Sequence, residues 1–184
     1  MKMETFTGAM VHPVAPYLSD IHVEDIAHSL SMQCRFAGHC RRFYSVGLHS
    51  LFVYALVKTQ TDCVETLKLA LMHDAPEAYL HDITTPLKSA PMFDSYRTTE
   101  EHWTECIAIA LGIDMLKADH QLVKEADTHA VRQEAKVLMP SQGKDWQLPE
   151  SRPFPPIIVG APHLNMPMEV VEAMFLRTWT ELNL

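Results

Sequence analysis

The sequence has no long apolar run, and this absence excludes several classes of protein. No stretch approaches the roughly 18 consecutive apolar residues that a membrane-spanning helix needs. Residues 1–7 lack the apolar core of a signal peptide. We therefore expect a cytoplasmic protein without a membrane partner.

Positive charge is also scarce. The chain has 15 Lys and Arg against 23 Asp and Glu, which gives a formal net charge of −8. Proteins that bind nucleic acid rely on many cations to neutralise phosphates, so we expect no nucleic-acid partner. A small anionic substrate remains compatible with this charge, because a metal ion and a few local cations can override the field of the whole surface.

The cysteine content indicates neither a disulfide framework nor a standard zinc motif. The four cysteines are irregularly spaced and include no Cys-x-x-Cys pair, and a reducing compartment would keep them as thiols. A structural zinc site on Cys34, His39 and Cys40 is a minor alternative.

The length of the chain predicts a single domain. A chain of 184 residues buries one substantial core but is too short for two ordinary domains. Because helical patterns dominate, we predict an all-α, single-domain helical bundle over residues 1–184 with its core at about 20–138. Seven prolines make 140–167 an irregular loop, and a last helix over 168–182 closes the core.

Capping residues mark the expected starts of two helices. Ser19 or Asp20 is expected to cap the first helix, which carries apolar residues at helical spacing. Thr61 or Asp62 is expected to cap the third helix, with Glu65 completing a capping box.

Longer patterns predict the other helices. A helix over about 45–58 is apolar almost all round and should therefore be central and buried. Pro76 forces a kink or a restart after the third helix. An amphipathic helix over about 93–111 should stop at Gly112, and another should run over about 119–138.

Polar residues inside these apolar helices are candidate metal ligands. His73 and Asp74 are adjacent at the end of an apolar helix, His49 lies in the apolar helix before it, and Asp127 lies in the helix predicted from Asp119. A buried carboxylate is costly unless it is paired or binds a metal. Two imidazoles and two carboxylates form a mixed nitrogen and oxygen set suited to Co, Mn, Zn, Fe, Ni or Mg, with positions left for water. Such an open site is typical of a catalytic metal.

Each of these residues alone also has an ordinary explanation. His49 would be a satisfied core histidine and Asp127 a solvent-facing charge. A second doublet, His81 and Asp82, lies farther along the chain and cannot belong to the same site. We predict that His81 is not a ligand.

The order of His49, then His73 and Asp74, then Asp127 resembles the H…HD…D pattern of HD-superfamily metal-dependent phosphohydrolases. The flanking segments are more specifically similar to bacterial 5'-deoxynucleotidases and to phage deoxynucleoside (dATP) triphosphohydrolases. The matching segments are 25–30, 35–36, 44–50, 69–80, 82, 85–88 and 124–127. The resemblance implies an HD-type helical bundle, a divalent metal cofactor and a homodimer or larger oligomer.

Carried over position by position, the resemblance implies catalytic and substrate-binding roles. Arg35 matches an arginine that contacts substrate phosphate, and Glu77 matches a glutamate that orients or deprotonates the attacking water. Asp82 matches an aspartate that binds the deoxyribose side and assists the catalytic carboxylates. Lys88 and Lys124 fall where related triphosphatases place lysines that reach a polyphosphate, although both are equally compatible with surface charges.

Two positions depart from the family pattern. Phe36 stands where the deoxynucleotidases commonly have tryptophan, a ring thought to exclude a 2'-hydroxyl. Leu48 stands where a glutamate often precedes the first ligand histidine.

The resemblance predicts hydrolysis of deoxynucleotides to deoxynucleoside plus phosphate or triphosphate. The alternatives are another HD class that hydrolyses cyclic nucleotides or guanosine tetraphosphate, and a non-catalytic HD module that binds nucleotides.

Overall fold

The computed structural model describes residues 1–155 and 166–184, and these residues are mainly helical. The helices of four or more residues are α1 (Val23–Met32), α2 (Val46–Lys58), α3 (Val64–Met72), α4 (Glu77–Leu80), α5 (Thr85–Lys88), α6 (Asp94–Leu111), α7 (His120–Leu138) and α8 (Met168–Glu181). The prediction of an all-α fold is confirmed. Within the described residues, none of the helices combines the length and apolar character that crossing a membrane requires.

The remaining regular structure is short. Strands β1 (Met3–Glu4) and β2 (Met10–Val11) form an antiparallel hairpin that the sequence patterns did not predict. The predicted loop over 140–167 contains neither helix nor strand where it is described, and 156–165 lies outside the described residues.

Helix α2 is the centre of the bundle, as its apolar composition predicts. It packs against α1, α3, α7 and α8. Gly47 permits the close approach of two of these neighbours. A Cβ at this position would lie 3.1 Å from Ser31 Oγ and 3.2 Å from Val171 Cγ1, so a larger residue would force α1 and α8 outward.

Three helix ends follow directly from local chemistry. Ser45 Oγ accepts a hydrogen bond from the Leu48 amide at the start of α2, and Asp119 Oδ1 does the same for Leu122 at the start of α7. Gly112 ends α6 in the left-handed conformation, with φ of 66°. These predicted boundaries are confirmed.

The predicted cap of α1 is wrong. Ser19 and Asp20 lie in a separate 3-10 turn, and the N-cap of α1 is His22, whose side chain makes no capping hydrogen bond. The chain thus turns once more before α1 begins.

The predicted cap of α3 is also wrong, because its residues are used elsewhere. The N-cap is Cys63, and Thr61 Oγ1 accepts a hydrogen bond from the Cys63 amide before the helix begins, whereas Asp62 is exposed. The Glu65 carboxylate accepts from the Asp114 amide at 2.7 Å, so it serves a contact 49 residues away and not a capping box.

The chain restarts at Pro76 as predicted, and the restart positions the candidate site. Helix α3 ends at Met72 and α4 begins at Glu77, so the intervening turn carries the His-Asp doublet. Helix α1 fixes α4 through two hydrogen bonds: Ser29 Oγ donates to the Ala78 carbonyl at 3.0 Å, and Gln33 Nε2 donates to the Glu77 carbonyl at 2.9 Å.

Candidate metal centre

Three of the four predicted ligands form a cluster, and the fourth, Asp127, contacts one of them. His49 projects from α2, and His73 and Asp74 follow α3. One atom from each of these three residues lies within 4.8 Å of the other two. Asp127 of α7 lies beside them, with its Oδ1 3.0 Å from His49 Nε2.

The spacing of the candidate ligand atoms fits a divalent ion. An ion at about 2.1 Å from its ligands separates neighbouring ligand atoms by about 3.0 to 3.4 Å. His49 Nε2 lies 3.3 Å from His73 Nε2 and 3.6 Å from Asp74 Oδ2, and His73 Nε2 lies 3.3 Å from the same Asp74 oxygen. These three distances match one coordination sphere, whereas Asp127, whose Oδ1 lies 3.0 Å from His49 Nε2, is not part of this three-residue group.

Hydrogen bonds on the far side of each ring orient the two histidines. His49 Nδ1 lies 2.7 Å from Glu134 Oε1, and His73 Nδ1 lies 2.9 Å from the Ala70 carbonyl. Each Nδ1 therefore carries a proton that it donates to oxygen, and each Nε2 is directed at the cluster. Metal-binding histidines are commonly oriented in this way.

Glu134 of α7 is the residue that the sequence analysis missed. It is fully buried and also accepts a hydrogen bond from the Tyr44 hydroxyl at 2.8 Å. It lies seven residues, or about two helical turns, after Asp127 and therefore on the same helix face. A glutamate at this spacing from a predicted ligand, on a helix face whose other buried residues are apolar, was the available signal.

Arg35 sits beside the cluster, between two carboxylates. Its Nη1 lies 3.2 Å from Asp74 Oδ2 and its Nε lies 3.5 Å from Glu134 Oε2. Burial opposes its charge, but Glu134 and Asp74 raise the pKa of Arg35 above its usual value. Arg35 is thus a permanent cation at the edge of the site.

The cluster is strongly polarised before any ion binds. Burial disfavours a charge on Asp74, but His73, His49 and Arg35 hold its pKa well below the usual range. Burial and Arg35 lower the pKa of His49, whereas Glu134 and Asp127 outweigh them and raise it to about 10. A proton and a metal ion therefore compete for His49 Nε2.

Glu77 lies at the start of α4, one helical turn after His73. It is 5% exposed, and within 1–155 and 166–184 its Oε2 has no hydrogen-bond partner. Burial, with Asp74 and Asp82 nearby, raises the pKa of Glu77 well above its usual value. A carboxyl group with a raised pKa holds a proton more readily than usual, so Glu77 is suited to take part in proton transfer.

These groups border a cavity of about 970 Å³. The predicted residues that line it are Arg35, Phe36, Asp74, Glu77, Asp82, Lys88 and Asp127. The backbone amide of Asp82 is held by Gln33 Oε1 at 3.2 Å, so the same glutamine fixes both Glu77 and Asp82. The volume is in the range of small-molecule sites.

The two predicted lysines differ in position. Lys88 lines the cavity, with its Nζ 2.7 Å from Glu100 Oε1 and 3.9 Å from Glu77 Oε1. Lys124 is exposed and is not among the residues that line the cavity. The reason is its place on α7, where Val123 and Ala126 are buried and direct the intervening side chain to solvent.

The competing ligand sets are not assembled. His81 is exposed, and its ring contacts only the Asp82 carbonyl among the described residues. Cys34 and Cys40 are free thiols with sulfur atoms 3.5 Å apart, but with His39 they form no potential metal group in the part of the chain that the structure describes.

We expect Glu134→Gln to weaken metal binding by about 10- to 100-fold, because it removes the charge that orients and polarises His49. The amide retains an acceptor for Tyr44, so the fold should persist. Chelator competition measures the affinity. Glu125→Gln on the same helix, where Glu125 pairs with Arg152 away from the cavity, is the matched control. Equal affinities for both variants would contradict this role.

The fold and the cluster define an all-helical protein with a candidate metal centre beside a cavity. The chain is 36% identical over 151 residues to the "Uncharacterized protein YfdR" of Escherichia coli K12, covering 82% of this chain and 80% of YfdR. It is 32% identical over 178 residues to the "Uncharacterized protein RCAP_rcc00048" of Rhodobacter capsulatus, covering 93% and 90%. No family model matches the chain. The chain belongs to the protein family that includes YfdR.

Proposed function

We propose that this protein is a metal-dependent phosphohydrolase of the HD superfamily that hydrolyses the phosphate ester of deoxynucleotides. One observation carries the proposal. His49, His73 and Asp74 converge at distances suited to one divalent ion, with Asp127 3.0 Å from His49, beside a cavity bordered by a buried arginine and a buried glutamate. These are the parts that metal-assisted hydrolysis needs: ligands, a phosphate-binding cation and a proton acceptor.

When bound, a divalent ion supplies Lewis acidity, which activates a water molecule and polarises a phosphoryl oxygen. Arg35 contributes a fixed positive charge, so it can stabilise the equatorial oxygens during in-line attack. Its pairing with Asp74 and Glu134 restricts where that charge can move. Substrate phosphate should therefore bind between the cluster and the open end of the cavity.

Glu77 would hold or remove a proton of the attacking water. Its unpartnered Oε2 and its distance of 3.9 Å from Lys88 leave it available for this purpose. Asp82 lines the cavity beyond α4, and the family resemblance assigns it to the sugar side of the substrate. Phe36, which also lines the cavity, would contact the same sugar.

The direct test is a substrate panel. Protein stripped with chelator is supplied separately with Co, Mn, Zn, Fe, Ni or Mg. Release of phosphate and of triphosphate is then measured from deoxynucleoside mono- and triphosphates, ribonucleotides, cyclic nucleotides and guanosine tetraphosphate. Metal-dependent release from deoxynucleotides is expected. Nucleotide binding without hydrolysis under every metal would favour a non-catalytic module instead.

The two lysines provide a test of which phosphate chain is accepted. Burial opposes the charge of Lys88, but Glu100 raises its pKa, so it remains a cation at the cavity wall. We expect Lys88→Ala to lower kcat/KM for deoxynucleoside triphosphates at least 10-fold more than for the matching monophosphates, because the metal and Arg35 already neutralise one phosphate.

Lys124→Ala is the matched control, since it removes an equal charge from outside the cavity. It should change both substrates alike and only slightly. Equal losses with both phosphate chains in the Lys88 variant would favour a 5'-deoxynucleotidase without a polyphosphate subsite.

A further inference from the structure

One wall of the cavity is mainly apolar and aromatic, although Asp145 and Gln147 beside it also line the cavity, in contrast to the charged metal side. It is built from the last turns of α7 and the loop that follows. The residues of this wall are Val131, Met139, Trp146 and Leu148, together with Phe36 from the chain before α2. The rings of Phe36 and Trp146 are in contact, with centroids 5.7 Å apart and planes tilted by 53°.

The loop is anchored so that Trp146 stays at this wall. Gly143 turns the chain with φ of 72°, and its carbonyl accepts a hydrogen bond from the Trp146 amide at 3.1 Å. On the other side of the tryptophan, Arg132 of α7 donates to Ser151 Oγ at 3.2 Å and to the Leu148 carbonyl at 3.5 Å. The loop is thus tied to the helix that supplies Asp127.

The indole of Trp146 is available to a ligand. It is only partly buried, and within 1–155 and 166–184 its Nε1 has no acceptor. Trp103, by comparison, is fully buried and donates from Nε1 to the Pro13 carbonyl at 2.7 Å. A partly exposed indole at the apolar side of a cavity favours a planar aromatic ligand.

We propose that the nucleobase of the substrate stacks on this wall. Trp146 is the principal contact, and Phe36 supports the indole ring of Trp146. This assignment rests on the proposed function, because the base is the flat aromatic group of the proposed nucleotide substrate. Arg35 connects the two sides of the cavity. Its guanidinium carbon lies 5.6 Å from the Phe36 ring centroid and its Nη1 lies 3.2 Å from Asp74. Stacking is tolerant of base identity, since every base has an aromatic face.

Deoxyadenosine binding tests the assignment without turnover. Metal-loaded parent, Trp146→Ala, Trp146→Phe and Lys144→Ala are titrated by calorimetry and by tryptophan fluorescence. Lys144 is exposed on the same loop and is not a lining residue, so its variant controls for loop damage. We expect Trp146→Ala to bind at least 10-fold more weakly, Trp146→Phe within about 3-fold of the parent, and Lys144→Ala unchanged. The fluorescence quench of the parent should be lost in Trp146→Phe.

A second measurement separates base contacts from the rest of the site. The kcat/KM of Trp146→Ala should fall at least 10-fold for dAMP and less than 3-fold for deoxyribose 5-phosphate, which lacks the base. Equal losses on both substrates, or unchanged deoxyadenosine binding, would overturn the stacking role. If the parent binds deoxyadenosine through Trp146 but hydrolyses no phosphate ester, the stacking role of this wall is supported and the proposed hydrolysis is refuted. A parent that hydrolyses deoxyribose 5-phosphate but binds no nucleoside would support the proposed hydrolysis and refute the stacking role of this wall.

Discussion

Asp74→Ala is expected to abolish hydrolysis and to weaken metal binding by more than about 100-fold, because it removes a charged ligand from the middle of the cluster. The Asp74 carboxylate lies within 3.6 Å of both histidines and of Arg35, so its loss removes the oxygen closest to all three groups. Thermal unfolding with and without metal is the measurement. The parent should be stabilised by saturating metal, by about 2.7 kcal/mol at one hundred times Kd, and the variant should not.

Asp62→Ala is the matched control, since Asp62 is exposed between α2 and α3. It removes one negative charge but no ligand, so its metal response should equal that of the parent. If Asp74→Ala retained the parent's metal-induced stabilisation, the ion would have to bind elsewhere.

Glu77→Gln is expected to separate metal binding from chemistry. The substitution keeps the volume of a side chain that is 5% exposed, and Glu77 is not one of the candidate ligands. Metal affinity should therefore stay within a few fold of the parent. The value of kcat should fall by on the order of 100-fold or more, which is the usual contribution of a positioned acid or base.

The measurement is kcat at saturating metal and substrate, together with metal affinity from chelator competition. Glu125→Gln again provides a control for the loss of one carboxylate, because its partner Arg152 lies on a different part of the surface. A Glu77→Gln variant with near-parental kcat would exclude the proton-accepting role. A parallel loss of metal affinity would make Glu77 a support of the ligands instead.

Several features of the fold follow from neighbouring residues alone. The apolar surface of α2 predicts its burial, and Ser45, Gly112 and Asp119 predict helix ends, because each acts on backbone groups within a few residues. The restart at Pro76 also follows from a local effect, because proline disrupts the helix within one turn of its own position. The two wrong caps show the limit of such reasoning. Glu65 has the sequence of a capping box, yet its carboxylate binds the amide of Asp114.

His49 and the His73-Asp74 doublet stand out in the sequence because they are polar residues within or at the end of apolar helices. Asp127 does not stand out in this way, and only the order of the four residues and the family resemblance select it. Their convergence to within hydrogen-bonding distances is a property of the folded bundle. The choice between the two predicted lysines also depended on helix orientation, since Lys88 faces the cavity and Lys124 faces solvent.

The sequence by itself thus determined the helical class and most helix boundaries, since these depend on interactions between residues close in the chain, and its order of polar residues indicated the candidate ligands. Tertiary structure alone decided which groups orient that set and which enclose the cavity. Glu134 meets His49 across 85 residues and Tyr44 across 90. Trp146 reaches Phe36 only because the loop after α7 folds back over the cavity. Contacts of this kind depend on how helices pack, and no local pattern encodes them.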